Sequence, residues 1–259
     1  MNIAEELKGK TALVTGGSRG IGRATALMLA RHGAKLIVHF NNSAAQAREV
    51  ILAIRAEGSD AESVQADLST HAGTASLASS VAALTSGKLD ILVANAGISK
   101  AGTLENHSEA DFDLLFATNV KSPFFLVTEL LPSLTSSASV IFLSSIAGHS
   151  FLGNPGQEHV PTLPVYASTK GALDTLVKHL ASMLGPKGIR VNAVAPGIIE
   201  TDMSNFTKSE FGKEVAVSIQ ALKRLGQADD VAEVIAFLAS ERACWISGAT
   251  IPVDGGTRL

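Results

Sequence analysis

The chain contains one tyrosine, Tyr166, and four positions on it carries a lysine, Lys170. On a helix such residues share a face one turn apart, so a phenol and an ammonium would stand side by side. A free phenol has a pKa near ~10 and is a poor acid or base at neutral pH. A cation about 5 Å away, at an effective dielectric of about 20, favours the phenolate by roughly 3 kcal/mol, on the order of 2 pKa units. The pair therefore predicts proton transfer at an oxygen of a substrate. The same spacing also arises by chance on many helices, so the prediction depends on the rest of the chain.

The elements that must position this pair follow from hydrophobic pattern. Tyr166 to Met183 reads as one helix, stopped by Gly185-Pro186. Strands are predicted at Thr11–Thr15, Lys35–Phe40, Glu62–Ala66, Leu89–Ala94, Ser139–Leu143, Arg190–Val194 and Thr250–Val253. Between them lie helix-like stretches: Ile21–Arg31, Ala44–Ala56 after a cap at Ser43, Ser69 or Thr70 to Ser86, and Ser108 to about Leu134 with a break near Ser122-Pro123. A last helix, Ala228–Ser240, is assigned Asp229 as its cap. Strand and helix alternate throughout, which predicts an α/β fold: a doubly wound sheet of seven mainly parallel strands with helices on both faces. No repeat, low-complexity segment or linker divides the chain, so one domain over residues 1–259 is expected. In such sheets ligands bind beyond the carboxyl ends of the strands, where most of the unusual residue clusters fall.

Composition narrows the function. Hydrophobic residues make up 46% and charged residues 17% of the 259 positions, with a mean hydropathy of +0.27, as expected for a sheet buried on both faces. The net charge of −3, without a basic block, gives no reason to expect a nucleic-acid partner. No apolar run is long enough to span a bilayer, and Met1–Lys10 has no apolar core, so a cytoplasmic protein is expected. One cysteine, Cys244, excludes an internal disulfide, and seven scattered histidines offer no metal-ligand spacing.

The turn after the first strand reads Thr15-Gly16-Gly17-Ser18-Arg19-Gly20-Ile21-Gly22. Glycines let the backbone approach a ligand closely, and the following helix N-terminus offers N–H groups and a positive dipole to a pyrophosphate. Packing alone also accounts for a glycine-rich turn. Its position after the first strand favours the dinucleotide. At the end of the second strand an NAD site usually has an acid for the ribose 2′-hydroxyl. Here the sequence is Val38-His39-Phe40-Asn41-Asn42-Ser43, with no acid, and Arg19 lies in the glycine turn. A guanidinium with Asn or Ser donors binds a 2′-phosphate that a carboxylate would repel, so NADP(H) is favoured over NAD(H).

With these motifs assembled, the chain resembles the short-chain dehydrogenase/reductase superfamily, of the single-domain, Rossmann-type kind that includes 3-oxoacyl-carrier-protein reductases. The resemblance covers essentially the whole length through Thr15 to Gly22, Asp67, Asn95-Ala96-Gly97, Asn119, Ser145, Tyr166 with Lys170, Asn192, Pro196-Gly197, Thr201 and Asp254-Gly255-Gly256. It implies a catalytic set of Asn119, Ser145, Tyr166 and Lys170. Tyr166 would be the acid in ketone reduction and the base in reverse. Lys170 would lower its pKa and hold the nicotinamide ribose, Ser145 would hydrogen-bond the carbonyl oxygen, and Asn119 would hold a relay water. It further implies a cofactor site of Gly16, Ser18, Arg19, Gly20, Ile21, Asn41, Asn42, Asp67, Leu68, Asn95, Ala96, Gly97, Tyr166, Lys170, Pro196, Gly197, Ile199 and Thr201. Blander roles stand beside these: a turn residue for Ser145, a structural amide for Asn119, a helix cap for Asp67. The resemblance also implies a homotetramer built through Asp111–Leu134, Tyr166–Leu184 and the last strand, and a lid at 202–225.

The chain departs from that pattern in an extended loop, 149–165, containing Pro155, Pro161 and Pro164, in which Phe151, Leu152, His159 and Leu163 are expected to help wall a substrate pocket. The turn Thr135–Ser139, often basic in carrier-protein reductases, has no charge here. A free ketone or secondary alcohol is therefore the first expectation, and a 3-oxoacyl-[acyl-carrier-protein] substrate the second. A non-catalytic nucleotide sensor is a third reading, disfavoured because Tyr166, Lys170 and Ser145 are all retained.

Overall fold

The computed structural model describes residues 5–102, 105–150 and 162–257. Seven strands form one sheet: β1 (Thr11–Val14), β2 (Lys35–Phe40), β3 (Ala61–Gln65), β4 (Leu89–Ala94), β5 (Leu134–Leu143), β6 (Arg190–Pro196) and β7 (Thr250–Val253). Their spatial order is β3-β2-β1-β4-β5-β6-β7, and every pairing is parallel. The chain winds outward from β1 to β3, then returns to place β4 on the other side of β1. The loops leaving β1 and β4 therefore diverge, and the crevice between them is where a doubly wound sheet takes its ligand.

The helices are α1 (Gly20–Arg31), α2 (Ala44–Ala56), α3 (His71–Thr85), α4 (Glu109–Phe116), α5 (Ser122–Leu130), α6 (Pro164–Leu184), α7 (Glu210–Ser218) and α8 (Ala228–Ala239). Two buried apolar layers cover the two faces of the sheet. One joins α1, α2 and α8 to Val14, Val38, Val93, Ile141 and Val194; the other joins α3, α5 and α6 to Leu13, Ile37, Leu92, Phe142 and Ala193. Neighbours along a strand serve opposite layers, because side chains alternate faces. That is why the strands read as unbroken apolar runs.

Several boundaries differ from the sequence reading: α6 starts at Pro164, inside the loop expected over 149–165, because proline suits the first turn of a helix, and β6 runs on to Pro196. The helix expected to reach Leu134 ends at Leu130: Leu131 still has helical dihedrals, but Pro132 after it has no N–H to carry the hydrogen-bond ladder on. β5 begins at Leu134, because its first four residues are only half-buried or exposed and carry no apolar signal. Gln227 caps α8, with Asp230 completing a capping box, where Asp229 was expected; Ser43 precedes α2 without a side-chain cap bond. The segment 202–225 holds a short 3-10 turn at Asn205–Lys208 followed by α7.

Among the described residues no helix is long and apolar enough to cross a membrane, and no group of His, Cys, Asp and Glu is placed to hold a metal. Phe112, Leu114, Phe124 and Met183 are exposed on α4, α5 and α6, and Trp245 just before β7 is 97% exposed. These elements are the ones the sequence resemblance assigns to subunit contacts.

Candidate active site

The glycine turn joins β1 to α1 and is held from two sides. The Asn95 side-chain amide, at the end of β4, donates to the carbonyls of Thr15 (2.8 Å) and Gly16 (3.2 Å). In return the Thr15 hydroxyl accepts from the backbone N–H of Asn95 (3.0 Å) and Ala96 (2.9 Å). The switch point is thus locked by one threonine and one asparagine. Gly16 has φ +62°, in the left-handed region. A methyl group at Gly22 would lie 2.2 Å from the Gly16 carbonyl oxygen and 2.5 Å from the Asn95 amide nitrogen. Helix and turn therefore approach more closely than any side chain permits. Gly22→Ala is expected to lose nucleotide binding at least about tenfold and to lower stability by roughly 1–3 kcal/mol. Fluorescence titration with NADPH and a urea melt check this; wild-type affinity would contradict it.

The first turn of α1 is open to an anion. Its cap residue, Arg19, contributes no side-chain cap bond, and no acid lies in the turn. Arg19 is exposed, Ser18 buried and Ile21 half-buried. Thr201, just before the segment 202–225, faces Gly20. At the adenosine end, one oxygen of Asp67 accepts from the Ser69 N–H (3.0 Å), the Ser69 hydroxyl (2.8 Å) and the Asn41 amide (3.4 Å). The Ser69 N–H and hydroxyl hold that carboxyl below the ordinary aspartate range. Leu68 beside it is buried, and Asn42 is exposed. The cap of α3 is Thr70, not Asp67. On the nicotinamide side, the Gly197 N–H donates to the Val253 carbonyl (3.0 Å), fixing Pro196-Gly197 against β7, and Ile199 is buried beside Gly226. A narrow turn, an uncapped helix end with a free guanidinium, and a closing threonine fit a phosphorylated dinucleotide laid across the strand ends.

The expected catalytic residues converge from three elements. Ser145 follows β5, where its hydroxyl accepts from the Ala147 N–H (3.2 Å) and hydrogen-bonds Tyr166. Tyr166 and Lys170 lie in the first two turns of α6. The Lys170 Nζ stands 5.5 Å from the centre of the Tyr166 ring and donates to the Leu143 carbonyl (2.6 Å). Gly97 adjoins both Lys170 Nζ and Asn119 Oδ1, which links this cluster to the Asn95 clamp.

One expectation about these residues is corrected. Tyr166 is not acidified in the protein alone: burial pushes its pKa up, and the Ser145 hydrogen bond only partly opposes this. The ammonium lies over the ring and is also bound by the Leu143 carbonyl. Lys170 is itself shifted down to about 8 by burial, with the Asp174 carboxylate opposing the fall. The Asn119 side-chain amide pairs with both backbone groups of Ile98 (2.9 Å each) and donates to the Thr169 hydroxyl (3.1 Å). It sits in a π-helical turn, Ala117–Lys121. In an α-helix the Asn119 carbonyl would be bonded by residue 123, which is a proline and has no N–H.

Asp174 was missed in the sequence although it lies one turn beyond Lys170. Its carboxylate is held by His149 Nε2 (2.7 Å) and the Thr250 hydroxyl (3.1 Å). Of the expected pocket wall, Phe151, Leu152 and His159 lie outside the described residues, and Leu163 precedes α6. Thr162 is pinned to Gly102, so the end of that loop meets the β4–α4 connection.

Comparison with known proteins gives one answer. The sequence family described as "Enoyl-(Acyl carrier protein) reductase" matches residues 16–258. Versicolorin reductase stcU of Emericella nidulans is 40% identical, over 96% of each chain. Tetrahydroxynaphthalene reductase of Pyricularia oryzae is 36% identical, over 96% of this chain and 90% of that one. Among solved structures, a short chain dehydrogenase from Burkholderia cenocepacia J2315 in complex with NADP superposes with TM-score 0.90 and 34% identity, over 98% of this chain and all of that one. The angucycline C-6 ketoreductase LanV with bound NADP gives 0.89 and 36%, over 98% and 97%. By its sheet order, its glycine turn and these likenesses along nearly its full length, the chain belongs to the short-chain dehydrogenase/reductase family.

Proposed function

We propose that the chain acts as one NADP(H)-binding catalytic domain that reduces a ketone to a secondary alcohol, with 202–225 as its lid. The observation that carries this reading is the Ser145–Tyr166 hydroxyl pair beside a buried ammonium, at the end of a crevice shaped for a dinucleotide. Bound NADPH supplies the hydride. As negative charge builds on the carbonyl oxygen, Ser145 and Tyr166 donate to it, and Tyr166 gives up its proton. A phenol with its pKa raised by burial keeps that proton at neutral pH, which suits the reducing direction. An alkoxide is a far stronger base and still takes the proton. Lys170 holds the ribose, and a water on the Asn119 carbonyl passes the replacement proton.

Likeness to reductases of tetrahydroxynaphthalene and versicolorin supports a hydroxylated aromatic substrate, met as its keto tautomer because only a carbonyl carbon accepts hydride. The second reading, a 3-oxoacyl thioester on a carrier protein, draws on the description of the matching family. Acidic carrier proteins dock on basic surface. The turn at 135–139 has none, and Lys100, after β4, is committed to Asp111 at 2.6 Å. Following NADPH oxidation with hydroxynaphthalene-type ketones and with acetoacetyl thioesters separates the two. Turnover of the thioesters alone would replace the first reading by the second; turnover of neither class would remove both.

Two further outcomes follow. Arg19→Ala is expected to raise KM for NADPH roughly ten- to hundredfold, the worth of charge-assisted bonds to a 2′-phosphate, while KM for NADH stays within about threefold. Equal effects on both nucleotides would place Arg19 elsewhere. Lys170 works as a cation, so kcat/KM for reduction should fall as pH rises through about 8. Asp174→Asn removes the charge that favours that cation, and should move this limb to lower pH. A limb that stays in place would contradict the coupling.

A further inference from the structure

His39 is 2% exposed and is the one polar side chain between Leu36 and Phe40 in β2. Its alternation places it on the face of Ile37, beneath the mouth of the crevice. Both ring nitrogens are used. The backbone N–H of Gly16 donates to Nδ1 at 3.0 Å, and Nε2 lies 3.1 Å from the carbonyl oxygen of Ala66. An N–H needs a bare nitrogen to receive it, and a carbonyl needs a nitrogen that carries hydrogen. The two backbone partners therefore permit a single form of the ring, neutral and protonated on Nε2. A second proton would set Nδ1–H against the Gly16 N–H. Burial pushes the pKa of the ring down, in keeping with the neutral form.

The same residue also grips the turn through its backbone, since the Gly17 N–H donates to the His39 carbonyl at 2.9 Å. Two successive N–H groups of the glycine turn thus end on His39. The other end of the ring holds Ala66, whose neighbour Asp67 carries the Ser69 and Asn41 contacts of the adenosine side. We propose that His39 is a positioning residue for the dinucleotide, a strut that ties the pyrophosphate turn to the adenosine end of β3 and fixes the spacing between them. The proposal rests on the NADP(H) reading given above. It gives His39 no contact with the reacting atoms. It predicts that His39 sets affinity and leaves the chemical step alone.

The test begins with the unaltered protein. In a spectrum of protein labelled with 15N-histidine, the His39 signals, identified by their loss in His39→Leu, should at pH 7 show an unprotonated Nδ1 and a protonated Nε2. A charged ring, or the opposite tautomer, would overturn the proposal. The second arm is titration with NADPH followed by nucleotide fluorescence. His39→Leu fills the space but leaves Gly16 N–H and Ala66 C=O without partners, and should raise Kd at least about tenfold. His39→Asn, which can still accept from Gly16, should recover part of that loss. At saturating NADPH, kcat of both variants should stay within about twofold of the parent. A His39→Leu protein that melts normally and binds NADPH as tightly as the parent would sink the strut alone. A parent that binds neither NADPH nor NADH would remove the nucleotide reading and the strut with it.

Discussion

Tyr166→Phe is expected to lower kcat for ketone reduction by about a thousandfold, the usual worth of a positioned general acid, and to leave Kd for NADPH within about twofold. The substitution removes one oxygen and keeps the ring that Lys170 lies against. Ser145 still accepts from the Ala147 N–H, so its side chain stays anchored. No cavity larger than a hydroxyl is made, and the raised pKa of the phenol shows that its surroundings already disfavour charge there. The fold should therefore tolerate the change, with a melting temperature close to that of the parent. Steady-state turnover beside a thermal melt checks both halves. A variant within tenfold of the parent would mean that the proton comes from another group.

Lys170→Met should abolish turnover and yet stabilise the protein. Lys170 is 5% exposed, and its pKa is lowered to about 8 from 10.5. A lysine whose folded pKa is depressed binds fewer protons in the native state than in the unfolded state between those two values. Stability therefore rises with pH across that window, and below pH 8 the whole penalty, roughly 3 kcal/mol, is borne by the fold. Met is similar in length and carries no charge. Losing the donor to the Leu143 carbonyl returns about 1 kcal/mol of cost, so a net gain of about 2 kcal/mol is expected at pH 7. The gain should shrink as pH rises from 8 through 10.5, where the parent lysine is neutral in the folded state and half-neutral in the unfolded one. Urea melts at pH 7 and pH 10 measure it. A variant less stable than the parent at pH 7 would show that the ammonium is held favourably, against the burial argument. Keeping a destabilising cation is the kind of cost active sites carry for function.

The strands and the glycine turn were legible because burial on both faces of a parallel sheet writes itself as uninterrupted apolar runs, and because tight turns call for glycine. The beginning of β5 was not, since Leu134 pairs with Leu89 but residues 135–137 lie at a register shift, half-buried or exposed, so that their pattern resembles a loop. Tyr166 and Lys170 were legible through helical spacing taken together with the other motifs. What spacing could not give was the ammonium's second partner, the carbonyl of Leu143, 27 positions away in sequence. The same holds for Asn119, whose amide is spent on Ile98 and Thr169. His39 was visible as a polar residue inside an apolar strand. Its role was not legible, because the two backbone groups that hold the ring come from separate turns. Asp174 was open to discovery by the same four-residue spacing that picked out Lys170.

The account turns on where the hydride lands, and NADPH deuterated at the transferred C4 position answers that directly. With a substrate that holds both a carbonyl and a conjugated double bond, mass spectrometry and NMR of the product should find deuterium on the new carbinol carbon, with the double bond intact. Deuterium on the carbon β to a surviving carbonyl would make the protein an enoyl reductase and contradict the role given to Ser145 and Tyr166.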